Sequence, residues 1–126
     1  MTPKPVSVLI HIVEDDLAIR ESLKLLLETR GYEVETFGSG DELFERGDNA
    51  RCGCVILDVN LPGDSGFDVL AKLRQLGITS PAIFMSGRAN PTMRTQAQRA
   101  NAVAFFDKPV PPADLLAAIA RATAHT

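Results

Sequence analysis

Three carboxylates stand side by side at Glu14, Asp15 and Asp16, with no basic residue next to them. Three more polar residues follow apolar runs: Asp58 after residues 55–57, Ser86 after residues 82–85, and Lys108 shortly after residues 102–106. Adjacent like charges at the end of a core strand are costly unless a cation sits among them. A hard divalent ion suits such a group. Mg²⁺ takes oxygen ligands, keeps several waters, and is commonly held by one or two carboxylates together with a phosphate. Mn²⁺ would serve in the same way. Asp15, Asp16 and Asp58 are the expected ligands, with the backbone carbonyl of Asn60 as a further oxygen. No EF-hand spacing is present. Across from such an ion, the Lys108 ammonium would grip phosphoryl oxygens and the Ser86 hydroxyl would donate to another. Asp58 can itself attack phosphorus and become an aspartyl phosphate.

Such a set works only if the chain brings it together. Residues 6–13 are nearly all apolar, as in a strand covered on both faces. In residues 15–31, Ile19, Leu23, Leu26 and Leu27 recur at helical spacing and Gly31 supplies a stop. Residues 32–37 alternate like a strand. Ser39 and Glu42 have capping-box spacing before a short helix that reaches about Gly47. Residues 54–58 form a buried strand ending on Asp58. Phe67, Leu70 and Leu73 mark a helix that stops at Gly77. Residues 81–87 predict a fourth strand. Asn90 and Pro91 then open a helix whose apolar stripe is only Met93, Ala97 and Ala100. Residues 102–106 are a fifth strand. Pro111 and Pro112 open a last helix that turns Leu115, Leu116 and Ile119 inward.

Five alternations of strand and helix predict an α/β domain: a doubly wound, five-stranded parallel sheet between two helical layers. The order 2-1-3-4-5, of flavodoxin-like type, puts a switch point between strands 1 and 3. Ligand sites form beyond the carboxyl ends of strands at such a point. Asp15, Asp16, Asp58, Ser86 and Lys108 would therefore meet on one rim. The 126 residues suit one domain over the whole chain, with a core from about residue 6 to 122. A formal charge of −3 makes direct binding of nucleic acid a poor expectation. The N-terminus lacks a signal-peptide core and no apolar run is long enough for a membrane span, so cytoplasmic residence is expected. Cys52 and Cys54 read as small buried residues on one face of a strand. His11 reads as a hydrogen-bonded core histidine.

"VEDD" at 13–16, "ILDVNLPGDSG" at 56–66, "MSG" at 85–87 and "FFDKP" at 105–109 resemble, in order, the motifs of the receiver domain of bacterial two-component response regulators. The resemblance runs from about Val6 to Ala122. It implies that Asp58 accepts a phosphoryl group from a histidine kinase or a histidine phosphotransfer protein. It also implies that Asp15, Asp16, Asp58 and the Asn60 carbonyl hold Mg²⁺. Ser86 would be the switch hydroxyl, Lys108 the phosphate-contacting lysine, Phe105 the switch aromatic, and Lys108-Pro109 a cis bond. Asn60 and Arg88 would tune how fast water removes the phosphoryl group. The charge gained at Asp58, about −1.5 to −2, would draw Ser86 inward and let Phe105 follow. The face built by the fourth helix, fifth strand and fifth helix would then change, with a phosphorylation-dependent dimer or an output domain as its reader. Self-catalysed phosphorylation and dephosphorylation are implied, not enzymatic turnover of a separate substrate. The wording of "HIVEDD" and "FFDKP" leans toward receivers of LuxR-type transcription factors. With no helix-turn-helix after the last helix, the chain reads as a single-domain regulator or as the receiver part of a longer protein.

Other chemistries compete. A phosphatase of the haloacid-dehalogenase kind needs a second Asp two residues after its nucleophile as general acid, and Asn60 stands there. A flavin-binding module would set the FMN phosphate against the acids that follow strand 1, which would repel it. A pseudo-receiver would bind a partner without phosphorylation; the complete residue set argues against that. Taken singly, Asp16 could be a helix N-cap, Asp58 a turn residue, Lys108 a solvated lysine and Ser86 a loop residue. Glu14 reads as accessory, pointing away from Asp15.

Overall fold

A computed structural model describes residues 7–124. Its strands are β1 (Leu9–Val13), β2 (Glu33–Phe37), β3 (Cys54–Asp58), β4 (Ala82–Ser86) and β5 (Ala104–Asp107). Its helices are α1 (Leu17–Glu28), α2 (Gly40–Arg46), α3 (Gly66–Gln75), α4 (Pro91–Arg99) and α5 (Pro112–Ala122). Every strand pairs in parallel, in the order β2-β1-β3-β4-β5. The expected fold class and strand order are therefore those of the structure. Position 6, where the first strand was expected to start, lies outside the described residues.

β1, β3 and β4 are buried at every position, because helices cover both faces of the sheet. One face packs Ile10, Ile12, Ile56, Ile83 and Met85 against Leu23 and Leu27 of α1 and Leu115 and Ile119 of α5. The other packs Val13, Val55, Leu57 and Phe84 against Leu43 of α2, Val69, Leu70 and Leu73 of α3, and Ala97 of α4. Cys52 belongs to the second cluster and Cys54 to the first, so they do not share a face. The reason is local: Cys52 precedes β3, in the turn where the Cys52 N–H donates to the Asn49 carbonyl, and strand alternation does not reach it. Both are free thiols, and burial pushes both up.

Helix starts follow side-chain chemistry. The Asp16, Ser39, Ser65 and Asn90 side chains each accept an N–H from the first turn of their helix. The box expected at Ser39 is half formed, since Glu42 accepts from the Gly38 N–H and not from its own cap. The complete box is Ser65 with Asp68. Asn101 ends α4 at φ 57°, the left-handed conformation that asparagine tolerates. His11 is half satisfied. Its Nε2 lies 2.7 Å from Glu35 Oε1, while Nδ1 is buried with no partner among the described residues.

Candidate functional site

The carboxyl ends of β1, β3, β4 and β5 meet at one rim. β1 continues its pairing one residue past Val13, where the Glu14 N–H donates to the Phe37 carbonyl at 3.0 Å. That bond holds Glu14 in the sheet edge, and its side chain turns inward with no exposed surface. Asp58 ends β3 and is 2% exposed. Lys108 follows β5 at a cis Lys108-Pro109 bond, its N–H donating to the Ser86 carbonyl at 2.9 Å. The Lys108 ammonium reaches both acids, donating to Glu14 Oε1 at 2.5 Å and to Asp58 Oδ2 at 2.9 Å. One cation thus stands between two buried carboxylates. Asp58 Oδ1 accepts from the Asn60 N–H at 3.0 Å, as in an Asx turn.

This crowding shows in the acid–base balance. Burial first, then the hydrogen bond to Asp58, push the Glu14 carboxyl up to about 7; Lys108 pulls the other way without offsetting them. Burial works against the Lys108 charge, but its bonds to Glu14 and Asp58 outweigh it and hold the ammonium above its ordinary value. A carboxyl raised in this way, by burial first and a second acid next, would be stabilised in its charged form by another positive charge. Glu14, Asp15 and Asp58 each offer an oxygen within 4.8 Å of the others, so the donor set is all oxygen and suits a hard divalent cation.

At the end of β4, Ser86 is fully buried. Its hydroxyl donates to Asn60 Oδ1 at 2.6 Å and accepts the Arg88 N–H at 2.9 Å. Phe105 lies beside Phe84 in the β4–β5 register, half-buried against the α4 face. The Arg94 guanidinium of α4 stands 5.1 Å from the Phe105 ring centroid and pairs with Asp107 at 2.6 Å.

Comparison with known proteins gives this rim a context. The family model of the response regulator receiver domain matches residues 10–120. The chain belongs to the response regulator receiver family. The response regulator protein TodT of Pseudomonas putida is 42% identical to this receiver over 110 residues, which are 87% of this chain and 48% of TodT. The transcriptional regulatory protein FixJ of Azorhizobium caulinodans is 34% identical over 115 residues, 91% of this chain and 54% of that protein. The chain therefore spans about half the length of these curated relatives. Among solved structures, a receiver domain protein from Methanospirillum hungatei superposes with a TM-score of 0.86 at 33% identity, covering 94% of this chain and 95% of that one.

Within the receiver, Asp58, Ser86 and Lys108 sit on one rim as the sequence led us to expect. Of the expected acidic pair, Asp15 offers an oxygen to the cluster and Asp16 does not. Asp16 was expected to bind metal, but its Oδ1 accepts the Ile19 N–H at 3.0 Å and caps α1. Glu14 was expected to point away as an accessory, and it is the buried acid beside Lys108. The group shifts by one residue because strand pairing persists through Glu14, and the helix claims Asp16. Arg88 is exposed and meets Ser86 through its backbone. Two contributors went unnoticed in the sequence. Arg20 Nη1 donates to the Glu14 carbonyl at 2.7 Å and the Asp15 carbonyl at 3.4 Å, tying α1 to the acidic turn. Gly66 brings α3 so close that a Cβ there would lie 2.5 Å from the Asp58 carbonyl oxygen. The glycine after "DS" was a usable signal for the second; Arg20 carried none.

Proposed function

We propose that this receiver takes a phosphoryl group onto Asp58, with a divalent cation held by Glu14, Asp15 and Asp58 and by the Asn60 carbonyl. The observation that carries the reading is the buried Glu14–Lys108–Asp58 triad beside an exposed third carboxylate. A bound Mg²⁺ or Mn²⁺ would neutralise charge developing on the transferred group. Asp58 Oδ attacks phosphorus and the bond to the donor breaks. Lys108 then exchanges a carboxylate contact for a phosphoryl oxygen. Ser86 leaves Asn60 Oδ1 and donates to another, and Phe105 follows along the same sheet face. Asn60 and Arg88, which both touch Ser86, are the candidates for tuning phosphoryl lifetime.

The donor is a histidine kinase or a histidine phosphotransfer protein, reached by the family resemblance. An apolar groove bordered by Ala18, Ile19, Leu23, Pro109 and Val110 adjoins Lys108 and gives such a donor a surface next to Asp58. The reader is an output domain, a downstream protein or a second phosphorylated copy at the α4–β5–α5 face. Among the described residues no helix is long and apolar enough to cross a membrane; cytoplasmic residence is part of the proposal. The test is acetyl phosphate with Mg²⁺, wild type against Asp58→Ala, read by mass. One phosphoryl group on wild type and none on Asp58→Ala is expected. A mass gain that persists in the variant, or that ignores chelation of Mg²⁺, overturns the assignment.

A further inference from the structure

Phe105 has a neighbour that the phosphoacceptor reading does not use. Arg94 stacks its guanidinium over the ring at 5.1 Å and ion-pairs with Asp107 at 2.6 Å. Phe105 and Asp107 are two apart on β5 and share a face. They pair in register with Phe84 and Ser86, so this is the face on which the switch hydroxyl lies. Arg94 therefore bridges α4 to two β5 residues on the sheet face that carries Ser86.

Little else fastens α4. Ala97 is its one buried residue, with Met93 half-buried beside it. A cleft of about 240 Å³ opens between α4 and β5, bounded by Arg94, Ala97, Gln98, Ala102 and Phe105. The cleft leaves the ring room beside α4.

We propose that Arg94 is the latch of the resting state: its guanidinium, stacked on Phe105 and paired with Asp107, holds the ring until Ser86 leaves Asn60. This makes Arg94 a positioning residue, and the trigger for release rests on the phosphoacceptor reading above. Release exchanges a cation–π contact for packing of the ring against the sheet. Both Arg94 contacts are half-exposed, so the latch is weak enough to be overcome by one charge event. By linkage, whatever favours the released ring favours a phosphoryl group at Asp58 by the same factor. Losing the latch should tighten binding of a phosphoryl stand-in about fivefold, the scale of one partly exposed cation–π contact with a surface ion pair.

The experiment labels the protein with 4-fluorophenylalanine, assigns Phe105 from Phe105→Leu, and titrates beryllium trifluoride with Mg²⁺ as the stand-in. In Arg94→Ala the free protein should show exchange broadening at Phe105 that wild type lacks, and beryllium trifluoride should bind about fivefold tighter. Arg94→Lys keeps a charge for Asp107 but not the flat stack, and should fall between. Asp107→Asn, which leaves Arg94 unpaired, should loosen the ring by a smaller factor. The latch is overturned if Arg94→Ala, melting as wild type does, keeps an unbroadened Phe105 signal or binds the stand-in no tighter. Failure of the phosphoacceptor reading looks different: Asp58→Ala would bind beryllium trifluoride as wild type does. The free-protein spectra would still decide whether Arg94 holds the ring.

Discussion

Lys108 and Arg94 each bridge two groups, and the resemblance ends there. The Lys108 side chain is 18% exposed and its partners Glu14 and Asp58 are 0% and 2% exposed. Arg94 is 49% exposed and Asp107 is 61% exposed. In the first case water is largely excluded, so each charge depends on the others and removing one strands the rest. In the second case solvent screens the pair and either partner can leave at small cost. On the proposed reading the rim is the fixed part, which would hold a phosphoryl group in register, and the α4–β5 face is the part that would move.

The comparison breaks most visibly at Lys108. Lys108→Ala leaves Glu14 and Asp58 buried with no cation between them. Breaking a buried pair in this way costs about 3 kcal/mol, with Glu14 limiting the loss by taking a proton. Mg²⁺ should restore part of it by supplying the missing charge. Urea unfolding with and without Mg²⁺ measures both numbers. A loss below about 1 kcal/mol would mean that the rim is as loosely coupled as the Arg94 pair.

The second effect is a pH dependence that belongs to the rim alone. The Glu14 carboxyl is raised from its ordinary 4.5 to about 7 by burial first, then by Asp58. The folded state therefore binds the proton more tightly than the unfolded chain does. A raised group contributes stability that is fully present below the unfolded value and lost as pH rises through the folded one. Without a divalent ion, the melting temperature should fall between about pH 4.5 and 7 on account of Glu14 and level off above. Lys108, also raised, keeps its contribution up to its ordinary 10.5 and loses it only as pH rises from there through its elevated value, which leaves this window untouched. Glu14→Gln should flatten the slope. Mg²⁺, which binds the ionised form, should reverse it. A wild-type slope unchanged by Glu14→Gln would place the raised group elsewhere.

How much of this the sequence carried follows the same division. Buried runs such as residues 54–57, bounded by turn chemistry, identified the strands, and their order followed from parallel pairing. Asp58, Ser86 and Lys108 were legible because each sits where a strand stops. Asp15 was legible too, but Glu14 and Asp16 were exchanged because "EDD" offers three like charges and only the extent of strand pairing decides which turns inward. Arg20 was invisible for a related reason: it acts through backbone carbonyls, which carry no residue signature. Cys52 failed because alternation was extended one turn too far. Arg94, by contrast, sits on a helix whose apolar stripe was visible in the sequence as only Met93, Ala97 and Ala100. What it touches depends on a contact to β5 that only the fold supplies.

Hydrogen exchange sharpens the contrast at its other end. α4 is anchored by Ala97, and its amides should exchange at least about tenfold faster than those of β1 and β3, through local opening that leaves the sheet intact. Equal protection in α4 and β1 would remove the distinction between a fixed rim and a movable face.

The smallest effect concerns what keeps α4 attached at all. Where apolar contacts are few, turn chemistry carries more of the load. Asn101 holds φ 57°, its N–H donates to the Gln98 carbonyl, and the Ala102 N–H donates to the Ala97 carbonyl at 3.0 Å. This left-handed cap turns the chain from α4 into β5. Alanine there meets the steric cost of the left-handed region without the local hydrogen bonding that lets asparagine visit it. Asn101→Ala should lose about 1 kcal/mol. Glycine fits the conformation freely but adds freedom to the unfolded chain, so Asn101→Gly should be nearly neutral. The Ala variant should also speed exchange in α4 more than in α3, whose buried Val69, Leu70 and Leu73 hold it independently of any cap. If Ala and Gly at 101 melt together, the cap is not the fastener. The hold on α4 would then rest on Arg94 and Ala97, and Arg94→Ala should loosen the helix as well as the ring.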